Sequence, residues 1–244
     1  MQLAPSFYII NAEYTRGVEM ALDRCQLSGG LVKQLLNESL KGKSFSRILL
    51  NYSLRNLELT GKILDLGSGS DSASYNRFLT FRKPYEITYT DFYKEGPNLL
   101  KLNLENRFNI RDKTYDFVLC FNVLEHIYNY QNVISESHRI LKKSGVLICS
   151  APFLVRFHPD PNDYFRYSHQ AIKKLFENAG FELEKMVYLG FGPFSACYEN
   201  ISGLIPNFLK PLPLFLLLAC DTILEGAKKD NLNYPIIYLY VFRK

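Results

Sequence analysis

The sequence predicts an α/β protein built on a doubly wound, largely parallel sheet. Three observations carry that prediction. From Lys62 onward, short β-rich runs alternate with helical patterns, and such alternation implies crossover units that lay helices on both faces of a parallel sheet. Runs such as FVLCF and GVLIC are apolar at nearly every position, as burial on both faces requires. At 244 residues, 47% hydrophobic and 22% charged, the chain can bury one substantial core, so a single domain with local additions is expected.

In chain order, the first sixty residues read as helical, through GVEMALDRCQL and GLVKQLLNESLKG. They are assigned as an N-terminal cap, 1–60, over the ligand edge of the sheet in the main domain, 61–244. KILDL begins the sheet, followed by a helix through SASYNRFLTF and the strands YEITYT, NLLKLN and YDFVLCF. A helix through QNVISESHRILKK leads to the strand GVLICSAP, then to the loop FLVRFHPDPNDYFRYS. HQAIKKLFENAG ends on the glycine expected just past a helix. FELEKMVYLGF and NYPIIYLYVFRK close the pattern as strands, separated by an apolar helical insertion at about 194–230. Its block Leu212 to Cys220 is too short to cross a bilayer. Packing on the domain or in a homodimer interface through 204–225 is expected, with Asp221 and Glu225 in keeping, and peripheral membrane contact is the alternative.

Charge and cysteine usage narrow the class. The 29 Lys and Arg against 24 Asp and Glu give +5, spread along the chain with no basic stripe, so no nucleic-acid partner is expected. Five cysteines are odd in number and widely spaced, and Cys120 and Cys149 lie inside apolar runs, which suits a reducing cytoplasm. The opening MQLAPSFYII lacks the basic region and long apolar stretch of a secretory signal, so export is not expected.

Open α/β sheets bind ligands outside the carboxyl ends of their strands. Asp65 there ends an apolar run and breaks into Gly67, Ser68 and Gly69, where glycine lets backbone approach a ligand closely. The dinucleotide pattern G-x-G-x-x-G is incomplete, because Ser72 stands at its last position. Asp91 follows YEITYT, 22 positions after Gly69, where a carboxylate can accept from both hydroxyls of a ribose, the alternative being a helix or turn cap. Asn103 can read an adenine amino group, Phe92 and Phe121 can flank its ring, and Asp65 can orient the loop or a ligand amino group.

Taken together, ILDLGSGSDS, YTDFY, KLNLENRF, YDFVLCFNVLEHI, ILKKSGVLICSAPF and PNDYFRYS followed by LFENAGFE resemble the successive motifs of class I S-adenosylmethionine-dependent methyltransferases, specifically the type 11 domain group, over about Lys62 to Met186. The resemblance implies a Rossmann-like seven-stranded sheet whose last strand is antiparallel. It also implies that Gly67 and Gly69 line the methionine and ribose portion of S-adenosyl-L-methionine, that Asp91 holds the ribose, that Asn103 and Leu104 lie at the adenine, and that Asn122 faces the methionine end. Two positions depart from the family pattern: Asp71 stands where glycine is frequent, and Asn103 where aspartate is.

Methyl transfer to a hydroxyl needs a base. The candidates are His126 in LEHI and His158 in the long loop with Asp160 and Asp163; Arg166 and Tyr167 could grip an anionic or sugar-like acceptor, or Arg166 could pair internally with Asp163. No metal-ligating set is assigned. The expected activity is methyl transfer to a small-molecule or glycan-precursor acceptor. A non-catalytic binding or assembly protein on a decayed fold is the alternative, motivated by Asp71, Asn103 and the insertion. The expected location is cytoplasmic, with membrane contact peripheral at most.

Overall fold

The computed structural model describes residues 21–227 and 233–244. Among these residues eight strands form one sheet: β1 (Ala21–Arg24), β2 (Glu58–Asp65), β3 (Thr80–Asp91), β4 (Leu99–Lys101), β5 (Tyr115–Phe121), β6 (Leu141–Pro152), β7 (Glu182–Leu189) and β8 (Ile237–Arg243). Their spatial order is β1-β7-β8-β6-β5-β2-β3-β4. All pairings are parallel except the two that β8 makes with β6 and β7. Strands β2 to β8 are thus the seven-stranded sheet with an antiparallel last strand, and β1 is an addition at the β7 edge.

Side-chain alternation along each strand divides the core in two. Ile63, Phe117, Ile148 and Leu239 face one way, where they meet Leu31 and Leu35 of α1 (Gly29–Leu40), Ile48 and Leu49 of α2 (Phe45–Ser53), Tyr198 of α5 (Pro193–Ile201) and Leu214 and Leu218 of α6 (Pro211–Ala227). Their neighbours Leu64, Val118, Cys149 and Tyr240 face Val133 and Ile134 of α3 (Tyr130–Ile140) and Ile172 and Phe176 of α4 (His169–Asn178). Serine hydroxyls cap three of these helices: Ser28, Ser44 and Ser168 accept from the N–H groups of Leu31, Arg47 and Ala171, each worth about 1 kcal/mol.

Four expectations need correction. The stretch read as a first helix, GVEMALDRCQL, contributes β1 instead; its residues 17–20, like the N-terminal reading of 1–10 and the insertion's end at 228–230, lie outside the described residues. The exposed edge of β7 recruits that segment as a parallel strand, with Lys185 Nζ 2.8 Å from Asp23 Oδ2 across the pair. After the glycine bend the expected helix shrinks to one 3₁₀ turn, Ser74–Arg77. Serine side chains there bond locally, Ser70 Oγ accepting from Ser72 N–H at 3.2 Å, which competes with helix formation, and β3 has already begun at Thr80. The helix drawn through QNVISESHRILKK stops at Ile140, because LKK opens β6. Finally, the cap is mainly a layer on the sheet face, and the boundary at 60 falls inside β2. Among the described residues of the cap, only the segment joining α1 to α2 and the start of α2 reach the ligand edge.

Candidate functional site

The chain runs from β2 outward to β3 and β4, then returns to β5 and β6 on the other side. The carboxyl ends of β2 and β5 therefore flank the point where strand order reverses, and a cavity of about 1000 Å³ opens there. A smaller groove of about 760 Å³ beside Lys83–Ile87 and Asn98 lies on β3, away from these tips.

The bend after β2 is built by Thr90, a residue sequence reasoning passed over. Gly67 and Gly69 hold left-handed backbone, φ +70° and +68°, which costs a residue with a Cβ about 1–2 kcal/mol. Gly67 N–H donates to Thr90 Oγ1 at 2.8 Å, Gly69 N–H donates to the Thr90 carbonyl at 3.0 Å, and Thr90 Oγ1 donates to the Asp65 carbonyl at 3.2 Å. These two glycine donors point at β3 and not into the cavity. With no regular helix following, the bend lacks the helix N-terminus that favours phosphate. It offers close backbone approach instead: Gly67, Ser68 and Thr90 line the cavity, while Gly69 backs it beside Asp91, where an added Cβ would stand 3.2 Å from Asp91 Oδ2.

Asp91 ends β3 with its two oxygens doing different work. Oδ1 accepts from the N–H groups of Tyr93 and Lys94 at 2.7 and 2.8 Å, and Oδ2 turns to the Gly69 bend. Phe92 and Tyr93, both exposed, form the adjoining wall, and Leu104 and Asn103 follow from the tip of β4. Asn103 Oδ1 accepts from Glu105 N–H at 2.9 Å, so its amide NH₂ becomes the group available to a ligand. Asn122, in left-handed conformation at φ 53°, ends β5 and accepts at Oδ1 from Ser150 Oγ at 2.7 Å. Phe121 lines the cavity from beside Tyr75.

Asp65 lies elsewhere. Its carboxylate is fully buried and accepts the one O–H of Tyr75, whose Oη lies 3.0 and 2.8 Å from its two oxygens, beneath the bend. Burial pushes its pKa up to about 7. It is not part of the cavity wall.

The remaining wall comes from the long loop after β6, which carries a cis Asp160–Pro161 bond. The N–H groups of Tyr164 and Phe165 donate to the Glu125 carbonyl, tying that loop over the turn after β5. His126 and His158 meet in it, ring centroids 5.2 Å apart, and both line the cavity. Glu125, missed at the level of sequence, is fully buried beside them. Its neighbourhood holds the His158 imidazole above its ordinary value, against the opposing effect of burial. Arg166 is an internal clamp: it binds both oxygens of Asp163 and donates to the carbonyls of Val155, Arg156 and Phe165, while Asp163 is held down at about 2 by that guanidinium. Tyr167 is buried, its hydroxyl directed at the Leu124 carbonyl at 3.5 Å. Neither Arg166 nor Tyr167 lines the cavity.

Arg47, from the first turn of α2, was also missed. It lines the cavity, makes no ion pair among the described residues, and burial lowers its pKa. Beside it the insertion contributes Glu199, which accepts from Ser46 Oγ at 2.6 Å and Ser46 N–H at 2.9 Å and so closes the wall from α5. Neither residue has a local sequence signal, since each reaches the cavity from an element remote in the chain.

Comparison with known proteins agrees with this geometry. A family model described as a methyltransferase domain matches residues 37–186. An uncharacterized protein of Methanocaldococcus jannaschii is 34% identical over 100 residues, 35% of this chain and 38% of that one. A "probable S-adenosylmethionine-dependent methyltransferase" of Mycolicibacterium smegmatis is 32% identical over 79 residues, 30% of this chain and 31% of that one. The matches thus span about a third of the length of these curated relatives. Among solved structures, an S-adenosylmethionine-dependent methyltransferase from Archaeoglobus fulgidus shares the fold with TM-score 0.52 at 16% identity, covering 86% of this chain and 98% of that one.

Proposed function

From the premise that this chain belongs to the class I S-adenosylmethionine-dependent methyltransferases, by the methyltransferase domain model that matches it, we propose that it transfers a methyl group from S-adenosyl-L-methionine to a small-molecule or glycan-precursor acceptor. The observation that carries the reading is the juxtaposition of Asp91 Oδ2 with the left-handed Gly69 bend at the wall of one cavity. The residues fit the cofactor. A Cβ at Gly67 would stand 3.0 Å from Val123, and one at Gly69 would press on Asp91, so the cradle exists because both positions are glycine. Asp91 Oδ2 suits a ribose hydroxyl, Phe92 and the Asn103 amide suit adenine, and the Arg47 guanidinium, which has no ion pair among the described residues, suits the methionine carboxylate. About 1000 Å³ is at the upper end for a small-molecule site and leaves room for an acceptor.

When bound, the cofactor supplies an electrophilic methyl on a sulfonium. The chain's own contribution is alignment and exclusion of water, which can remove about 7–11 kcal/mol of the barrier. The acceptor side is the wall formed by Asn122, His126, His158 and the tied-down loop, and the acceptor's nucleophile docks against the two histidines. Calorimetry with S-adenosylmethionine tests the reading. Asp91→Ala should weaken binding tenfold or more, since each hydrogen bond to a charged group is worth about 1.5–3 kcal/mol. A folded sample that binds no cofactor at millimolar concentration would favour the non-catalytic alternative.

We also propose a cytoplasmic location with peripheral contact at an anionic bilayer. The stretch Asn207–Leu224 has mean hydropathy 1.5 over 18 residues, longer than the apolar block read from sequence. Yet α6 is anchored to the domain, with Leu214, Leu218 and Asp221 buried and the Asp221 carboxylate accepting from the N–H groups of Phe194 and Ser195 at 3.0 and 2.7 Å. Its other side exposes Leu212, Leu216 and Ile223, beside exposed Leu204 and Phe208. Exposed Lys41 and Lys43 lie next to this face, where Gly42 meets Asn207. Flotation with vesicles containing anionic lipid should carry the protein upward, and Leu212→Glu with Leu216→Glu should abolish it. A dimer in light scattering with no flotation assigns the face to a second copy.

A further inference from the structure

Glu125 is fully buried, and among the described residues neither of its carboxylate oxygens has a hydrogen-bond partner. A buried carboxylate in that state is strongly unfavourable unless a positive charge neutralises it. Arg47 and Arg166 are near enough to feel its charge, but neither donates to it. Facing it are two imidazoles. Nε2 of His126 and Nε2 of His158 each lie 3.7 Å from Glu125 Oε1.

The other nitrogen of each ring settles what those Nε2 atoms present. His126 Nδ1 is 2.5 Å from the Asn162 carbonyl, and His158 Nδ1 is 2.9 Å from the Arg156 carbonyl. A carbonyl oxygen only accepts, so His126 Nδ1 carries its proton; His158 Nδ1 also has the donor Arg166 Nη2 at 3.2 Å, and the shorter carbonyl contact favours the same tautomer, so that in the neutral ring each Nε2 aims a lone pair at the carboxylate. Three electron-pair donors then converge within 4.8 Å of one another. At 3.7 Å the Nε2 atoms are too far from Oε1 for a hydrogen bond. The separation is closer to the roughly 3.4 Å between two ligands that each sit about 2.1 Å from one tetrahedral ion. Histidines oriented by carbonyls through their second nitrogen are the usual support for metal ligation.

We propose that Glu125, His126 and His158 bind one divalent transition-metal ion of the zinc class, whose open coordination position faces the cavity. Two nitrogens and one carboxylate oxygen are a donor set that such ions accept with a fourth position left to water or substrate. Because both histidines line the cavity, that position lies on the acceptor side, where a hydroxyl or carboxylate oxygen of the acceptor would complete the shell. Only this assignment of the fourth ligand rests on the methyltransferase reading. The three protein ligands stand without it.

The full chain, stripped with a chelator, is titrated with zinc chloride by calorimetry. One site per chain with micromolar or tighter affinity is expected, and cobalt(II) in its place should give a visible d–d spectrum. Glu125→Gln and His158→Ala should each weaken zinc binding at least tenfold and change the cobalt spectrum, while Cys197→Ser, an exposed thiol, should leave both unchanged. Should circular dichroism show Glu125→Gln unfolded, His158→Ala on the loop decides. No saturable zinc binding, or binding that survives His158→Ala, overturns the proposal. A parallel titration of the metal-free chain with S-adenosylmethionine keeps the two readings apart. Cofactor binding without any zinc site defeats only the metal, and zinc binding without cofactor defeats only the methyl transfer.

Discussion

Replacing Gly69 with alanine should separate the shape of the bend from its service to a ligand. Gly69 sits at φ +68°, and an added Cβ would stand 3.2 Å from Asp91 Oδ2, tighter than ordinary contact. The left-handed backbone alone costs about 1–2 kcal/mol, which in a chain of this size lowers Tm by roughly 2–8 °C. The methyl then moves the Asp91 carboxylate by a few tenths of an ångström. Its Oδ1 cannot follow freely, being held by the N–H groups of Tyr93 and Lys94. The ribose hydrogen bonds, each about 1.5–3 kcal/mol at a charged acceptor, should therefore lengthen, and S-adenosylmethionine affinity should fall about tenfold or more. Gly180→Ala is the control: it has φ +91° and a Cβ contact of 3.2 Å to His138, but it is not in the cavity wall. Differential scanning calorimetry should show similar Tm losses for both variants, and titration calorimetry an affinity loss for Gly69→Ala alone. If the Gly69→Ala variant binds cofactor within twofold of the parent, the idea that bend and carboxylate hold the ribose together is wrong.

Three further outcomes follow from the same geometry. The Asp65 carboxyl has an ordinary value of 3.8 and a folded one of about 7, raised by burial. Folding thus favours its protonated form, and that stabilisation is full below about pH 4 and lost as pH rises through about 7. Asp65→Asn should remove this dependence, so the Tm difference between variant and parent should grow in the variant's favour from pH 5 to 8; parallel curves would refute the assignment. Glu199→Ala removes two buried hydrogen bonds to Ser46 and should lower unfolding free energy by about 2–4 kcal/mol in urea, with under 0.5 showing that the insertion does not brace α2. Arg166→Lys keeps the charge but loses the fork that ties Asp163 to three loop carbonyls. Limited proteolysis should then cut between Phe153 and Tyr167 faster than in the parent, and an unchanged pattern would mean the loop is held by its other contacts.

How far the site could be read in advance depended on locality. Gly67, Asp91, Asn103 and Asn122 each lie at a strand's last residue or within two positions after it, and a strand ends where its apolar run ends, so their common edge is legible one residue at a time. Asp65 ends its strand as Asp91 does, but its side chain falls on the face covered by Tyr75, and a run buried on both faces does not say in advance which face that is. Arg166 and Tyr167 sit in the loop with His158, yet which loop residues face the cavity depends on how the loop folds onto the Glu125 carbonyl. Arg47 and Glu199 reach the wall from α2 and α5, far from the strand tips in sequence. Thr90 was one position from a residue chosen correctly for the edge, and nothing in YTD says that the threonine shapes the bend.

The sequence by itself determined the parallel sheet, its two-faced core and the strand tips that point at the cavity. These follow from apolar periodicity and from glycine's backbone freedom, both properties of neighbouring residues. The tertiary structure decided the rest: β1 on an open sheet edge, a helix reduced to one turn, a buried carboxylate between two carbonyl-locked histidines, and an insertion helix with one side in the core and the other exposed. Each of these depends on what a segment meets across the fold, and a contact between distant segments leaves no period in either of them.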